Sequence, residues 1–378
     1  MKKNSFAFIA HRVEPWNWLL NFRIFNHLHR RPELHWLWIW LAPVYVLVSI
    51  MQAFGKKSFD IVDEFEFNGM KSQTILLRNY AWHFMFPGLR KKIRQRILEA
   101  VLFAQKENDV IGLGALIKAE WLTKGGRWIV DSLGDKLKAK LVHGDTLTAA
   151  ACIQQTGALI KKHNITSPVF LIGATSKIGR AVAIMLARNK IHVKMYTKSI
   201  KRAVVIIKEA GKFSGYLKVS TSLKDGKDCN LWLIGKSKPS KRILLRNIPK
   251  DTIIESFSVP NPFGEWNEQP RKDLLIIEAG LLAYDTNRTN IHFMMRLKAK
   301  IIYACYAGTV VHYYKKWKHH EVDEVDLKML KPVWGAAKEI GFSLPPLPVL
   351  EKFPVEVIEK EKRLFVKKLA NVPASTIF

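Results

Sequence analysis

Cys305 stands near the centre of Lys298–Lys318, KAKIIYACYAGTVVHYYKKWK, a stretch apolar in the middle and cationic at both ends. Its neighbours Ala304, Ala307 and Gly308 are small and leave room for a second group to approach. As a thiolate such a cysteine attacks carbonyl carbon, and a helix N-terminus or nearby Lys or Arg favours that state. Lys298 and Lys300 are close in sequence. A free cysteine among apolar residues is more often inert core, so both readings stand. Cys152 and Cys229 have no comparable setting.

A second group of residues suits a phosphate. The apolar run Val169–Ile172 leads into Gly173-Ala174-Thr175-Ser176-Lys177-Ile178-Gly179, followed by a helical pattern through Leu186. Glycines let a backbone turn tightly against a pyrophosphate, and the helix N-terminus offers N–H groups. The full fingerprint has a middle glycine, and Ser176 stands in its place. The alternative is a tight structural turn. After the next strand the chain reads Tyr196-Thr197-Lys198-Ser199-Ile200-Lys201-Arg202, with no acid before Glu209. An NAD site usually has an acid here for the ribose hydroxyls. Thr197, Lys198 and Arg202 instead suit a 2′-phosphate, so NADPH is the expected cofactor, with a solvated basic loop as the alternative.

Other polar clusters are weaker. His319-His320 precedes Glu321, Asp323, Glu324 and Asp326, a group that suits either a metal or, more simply, a solvated turn. His27, His29 and His35 are too sparse for a membrane di-iron centre. There is no Gly-x-Ser-x-Gly elbow and no CxxC pair, so no metal site is expected.

The elements that must hold these residues follow from the pattern. Apolar strands are expected at Val169–Ile172, Ile191–Tyr196, Leu231–Ile234, Thr252–Val259 and Leu274–Ile277, alternating with helices. That alternation predicts an α/β fold, a Rossmann-like doubly wound parallel sheet. Before it, Phe59–Phe67 reads as a strand with a turn at Asn68-Gly69. Arg90–Glu107 reads as a helix with a basic face, Val110–Ala115 and Leu137–Val142 as strands, and Thr146–Lys162 as a helix. These make an additional α/β N-terminal layer.

The first 57 residues point to a membrane. Trp16, Trp18, Trp36, Trp38 and Trp40 cluster there, and Trp36 to Phe54 carries no charge. Arg30 and Arg31 precede that run, Lys56 and Lys57 close it, and Pro43 would kink a helix within it. A spanning or hairpin anchor, an interfacial segment and a buried helix pair all remain open. Pro15–Phe25 suits a second, amphipathic element.

Composition sets the wider frame. The 378 residues carry 61 Lys+Arg against 32 Asp+Glu, a net charge of +29. Such a surface attracts polyanions: nucleic acid, anionic lipid, or an acidic carrier or phosphorylated cofactor. No zinc finger or RNP motif is present, and nucleic acid is not the expected partner. The 3 cysteines argue for a reducing compartment.

With these residues in hand, the chain resembles the cyanobacterial fatty acyl-ACP reductases and the C-terminal domain of plant cuticular-wax alkane-forming proteins. Ile61-Val62-Asp63-Glu64, Gly144-Asp145-Thr146-Leu147-Thr148-Ala149, Ile172 to Gly179 and Ala304-Cys305-Tyr306-Ala307 resemble reductase motifs in order and spacing. Asn79-Tyr80 and the run Ile97 to Ala104 resemble the plant domains. The resemblance covers roughly Phe59 to Pro348. It implies Cys305 as the acylated nucleophile, the Gly173 loop as an NADPH site, and reduction of a long-chain acyl thioester to fatty aldehyde. It also implies acyl-ACP or acyl-CoA and membrane lipid as partners, with a separate aldehyde-processing enzyme as a further one. The expected location is the membrane, with the catalytic domain facing the cytoplasm. The expected division is a membrane-associating segment 1–57, a substrate domain 58–165 and a Rossmann-like domain 166–290. A helical segment 291–345 and a tail 346–378 complete it. Three rivals remain: a non-catalytic subunit of a hydrocarbon-forming membrane complex, another NADP-dependent dehydrogenase such as the shikimate-dehydrogenase type, and a basic membrane-surface protein with a degenerate Rossmann domain.

Overall fold

The computed structural model describes residues 5–12, 38–235, 247–258, 271, 273–284 and 300–346. The histidines at 27, 29 and 35, the amphipathic stretch 15–25, Lys298 and the tail from 347 lie outside the described residues. Contacts divide the chain into two compact units. The first draws on Met1–Gly144 and Thr309–Asp323; the second draws on Asp145–Asp285, Leu297–Gly308 and the chain from Glu324.

The first unit is built on a five-stranded sheet. Its strands are β1 (Phe6–Arg12), β2 (Phe59–Phe67), β3 (Met70–Tyr80), β4 (Val110–Leu113) and β5 (Lys140–Val142), in the order β2-β3-β1-β4-β5. Only the β2–β3 pair is antiparallel, joined by the turn at Asn68-Gly69, both at positive φ. Helix α1 (Trp38–Phe54), the short α2 (Ala81–Met85) and α3 (Arg90–Ala104) belong to this unit. Ile93, Ile97, Ala100, Val101 and Ala104 recur at helical spacing and are buried against Ile9, Ile75 and Ile111.

One expectation is corrected here. The N-terminal segment is not uniformly helical, because Phe6–Arg12 is the central strand of the sheet, parallel to β3 and β4. From Phe6 to Ala10 its side chains are buried, as expected for a strand covered on both faces. Among the described residues no helix is long and apolar enough to cross a membrane. At about 1.5 Å per residue the 17 residues of α1 extend only about 25 Å.

The second unit carries a six-stranded sheet, all parallel. After α4 (Asp145–Lys162) come β6 (Val169–Ile172), α5 (Lys177–Arg188), β7 (Val193–Tyr196), α6 (Ile200–Ala210), β8 (Leu217–Ser220), β9 (Leu231–Ile234), β10 (Ile253–Ser256) and β11 (Leu275–Glu278). The order β11-β10-β9-β6-β7-β8 is the doubly wound arrangement, with its topological switch between β6 and β9. Phe170, Ile172, Trp232, Ile234 and Ile254 form a core cluster on this sheet. An antiparallel pair follows, β12 (Leu281–Ala283) with β13 (Ile301–Tyr303), and then α7 (Ala304–Tyr314) and α8 (Leu330–Ile340). Helix α4, expected with the N-terminal layer, is part of this second unit. The stretch expected to be helical from 291 contains strand β13.

Candidate functional site

The loop after β6 is a tight turn closed from both ends. Gly173 has φ +92°, and its carbonyl accepts from the Ser176 amide at 2.9 Å. A Cβ on Gly179 would lie 2.2 Å from the Gly173 carbonyl oxygen, so α5 reaches the strand end only with glycine there. Ala174 is buried, while Thr175, Lys177 and Ile178 are half-buried. Ser176, the departure from the fingerprint, has an ordinary extended backbone with φ −81° and no conformational need for glycine. Its hydroxyl accepts from the Gly179 amide at 3.1 Å and caps α5. Ser176 is exposed, and its hydroxyl proton is left to donate to a phosphate oxygen. The positive end of α5, a helix of 12 residues, lies directly behind it. These features fit a pyrophosphate.

The end of β7 is divided in role. Thr197 is buried, its amide donates to the Ser220 carbonyl at 3.0 Å, and its hydroxyl accepts from the Ser199 amide at 3.0 Å. Thr197 therefore builds the turn. Lys198 and Arg202 are exposed at the turn and in the first turns of α6. Glu209, the first acid beyond, is held by Arg180, whose Nε donates to Oε2 at 2.7 Å. Lys198 and Arg202 thus stand exposed just beyond the carboxyl end of β7, and the first acid after them in the chain, Glu209, is engaged by Arg180.

Cys305 is the second residue of α7, in the first turn of an 11-residue helix. From Ala304 to His312 every residue except Cys305 is buried. Cys305 is thus half-buried in the first turn of this helix, at the positive end of its dipole. The other two cysteines are buried. Burial pushes the Cys152 thiol well above its usual value, and the Glu255 charge adds to this. Burial pushes Cys229 up to about 12. Helix α7 is tied to the sheet by the Ala304 amide, which donates to the Gly280 carbonyl at 2.8 Å. Gly280 lies two residues beyond the end of β11.

Both groups therefore lie at the carboxyl edge of one parallel sheet. In the order β6-β9-β10-β11, the strands that lead to the loop and to Gly280 are three spacings apart, roughly 14 Å at ~4.8 Å each. Residues 169–344 match the CER1-like C-terminal domain model.

The chain is homologous to plant very-long-chain aldehyde decarbonylases. It is 32% identical to "Very-long-chain aldehyde decarbonylase GL1-2" of Oryza sativa subsp. indica over 75% of this chain and 43% of that protein. It is 31% identical to GL1-1 of the same rice over 79% of this chain and 46% of that one. The chain thus spans less than half the length of these relatives. Among solved structures, a shikimate dehydrogenase in complex with NADP+ is similar at TM-score 0.38 and 11% identity, covering 89% of this chain and 96% of that one. An L-tryptophan dehydrogenase from Nostoc punctiforme is similar at 0.39 and 11%, covering 97% and 88%. Similarities this loose fix no detail of the site.

Two residues on the neighbouring strands β9 and β10 or just after them were not singled out by the sequence pattern. Gly235 follows β9, and a Cβ there would sit 2.0 Å from the Phe257 ring. Glu255, third of the four residues of β10, is wholly buried, and burial pushes its carboxyl up to about 8. Its Oε2 lies 2.8 Å from the Thr156 hydroxyl of α4. A single acid inside the apolar run Thr252–Val259 was the available signal.

The His319 cluster serves structure. His320 Nδ1 accepts from the Leu141 amide at 3.0 Å, and the His319 carbonyl accepts from His312 Nε2 at 2.9 Å. Glu321 lies 3.0 Å from His143 Nδ1, and Asp323 pairs with Arg127 at 2.6 Å. Glu324 pairs with Arg180 at 3.6 Å. Among the described residues no group of three or more His, Cys, Asp or Glu could hold a metal ion. His312 is held neutral, its burial lowering it to about 4.

Proposed function

We propose that the chain reduces a long-chain fatty acyl thioester to the aldehyde through an acyl-enzyme on Cys305. The observation that carries this reading is the half-exposed Cys305 in the first turn of an otherwise buried helix. Cys305 attacks the thioester carbonyl carbon as thiolate, the carbon–sulfur bond to the carrier breaks, and the carrier leaves as its thiol with one proton. NADPH, held by Gly173, Ser176 and the α5 terminus with Lys198 and Arg202 at its 2′-phosphate, would supply hydride there. Release of the aldehyde returns Cys305 to thiolate, so the chain itself is neither oxidised nor reduced overall. The first turn of α7 stabilises that thiolate at both ends of the cycle.

Substrate carriers are acyl-ACP or acyl-CoA, whose acidic surface or phosphates complement a net charge of +29. The names of the rice relatives support a place in wax or hydrocarbon synthesis, with a separate enzyme consuming the aldehyde. The site faces the cytoplasm in this reading, where reduced cofactor and carriers are found. A non-catalytic role in a larger complex is the second reading; Ser176 in place of the middle glycine of the loop favours it. Incubation with NADPH and palmitoyl-CoA or palmitoyl-ACP separates the two. Aldehyde from the native chain and none from Cys305→Ala supports the reductase; none from either, with NADPH bound, leaves the auxiliary role.

A further inference from the structure

Helix α1 is turned inside out. The stripe it lays on the first unit is small and polar: Ser49 and Ala53 are buried and Gln52 is half-buried. The stripe it presents outward is apolar, with Val44, Leu47, Ile50, Met51 and Phe54 between 47% and 64% exposed. A helix of a water-soluble protein does the reverse.

The arrangement is fastened by polar bonds. Trp82 Nε1 of α2 donates to the Ser49 hydroxyl at 3.0 Å. The buried Arg96 donates to the Gln52 carbonyl at 2.9 Å and to the Gly55 carbonyl at 2.6 Å, and Lys92 donates to the Phe54 carbonyl at 2.8 Å. These cations satisfy the carbonyls at the end of α1 and complement its dipole. The Trp82–Ser49 bond also sets α2 beside α1, and the exposed Trp82, Met85 and Phe86 extend the same apolar surface.

The charge round this surface decides its occupant. Lys56 and Lys57 are exposed just beyond α1, Lys57 paired with Asp60 at 2.7 Å, and Lys91 is exposed in the first turn of α3. A two-fold pairing of this face with itself would bring two like-charged margins into one interface. An anionic bilayer surface meets both the apolar stripe and its cationic margin. A helix held to the protein by one side with its apolar stripe outward lies along such an interface.

We propose that the outward face of α1 and α2 is a docking surface that seats in one leaflet of a membrane carrying anionic lipid. It stands independently of the chemistry at Cys305. The test is co-flotation of the full chain with vesicles of phosphatidylcholine alone or of an equimolar mixture with phosphatidylserine. The native chain floats, and more with phosphatidylserine. Leu47→Glu with Met51→Glu lowers the partition coefficient by about tenfold per side chain, from the half-exposed apolar surface withdrawn. Lys56→Glu with Lys91→Glu removes the preference for phosphatidylserine, about fivefold per charge. Val205→Glu, at an exposed apolar position on α6, changes nothing. Thermal unfolding of each variant checks the fold, and Phe54→Ser with Phe86→Ser gives a second probe of the same face. Three results would each overturn the proposal: a native chain that stays in solution with both vesicles, Leu47 and Met51 variants that float as well as native, or a native dimer that those substitutions split into monomers.

Discussion

Replacing Glu255 by glutamine removes a pH-dependent destabilisation from the second unit. The Thr156 hydroxyl has one proton and lies 2.8 Å from both the Cys152 carbonyl and Glu255 Oε2. A carbonyl oxygen only accepts, so when that proton goes to Cys152 the bond to Glu255 needs the protonated acid. Burial is the larger influence on this carboxyl and raises it from 4.5 to about 8; a proton donated by Thr156 would pull the other way. The folded chain therefore keeps a proton that the unfolded chain releases above pH 4.5. The stability tied to this group is fully present below that pH and is lost as pH rises through about 8. The slope is about 1.4 kcal/mol per pH unit, or about 3 kcal/mol from pH 5 to pH 7. Cys152, its titratable neighbour on α4, is pushed well above its usual value and stays neutral throughout. Glutamine keeps the size and a donor for Thr156 but does not titrate. Urea unfolding of both proteins from pH 5 to pH 8 gives the difference in stability directly. A difference that grows by about 3 kcal/mol in favour of the glutamine variant between pH 5 and pH 7 is expected. Parallel curves would refute the protonated carboxyl.

Further outcomes follow from the loop and the β7 turn. Ser176→Ala loses the cap of α5, costs about 1 kcal/mol and lowers Tm by about 2–4 °C in calorimetry, whereas Ser176→Gly costs only a few tenths. Lys198→Glu with Arg202→Glu weakens NADPH binding roughly tenfold per cation in titration calorimetry and leaves NADH unchanged, because only the 2′-phosphate distinguishes them.

The elements most legible in the sequence are those whose surroundings are uniform. Strands β6 and β9 are buried on both faces, so each is an unbroken apolar run, and the Gly173 loop announces itself between a strand and a helix. Strand β1 is also an apolar run, FAFIAHR, but it precedes a tryptophan-rich stretch and merged with it in the sequence pattern. Only pairing with β3 and β4, which are remote in the chain, reveals it. Ser176 shows how a departure from a fingerprint can carry its own function: the serine that replaces glycine is also a helix-capping residue. The partners of the His319 cluster lie 179 and 196 positions away at Leu141 and Arg127, so no local pattern distinguishes it from a solvated turn or metal site. Glu255 was hidden for a similar reason, since its burial comes from β9, β11 and α4 together.

The most direct test of the central claim is the acyl-enzyme itself. The native chain, incubated with palmitoyl-CoA and no NADPH, is measured by intact mass and then by peptide mapping. The account predicts one palmitoyl adduct, on Cys305, that disappears on addition of NADPH and never forms on Cys305→Ala. An adduct on Cys152 or Cys229, an adduct that persists in the variant, or no adduct on a chain that still makes aldehyde would contradict it.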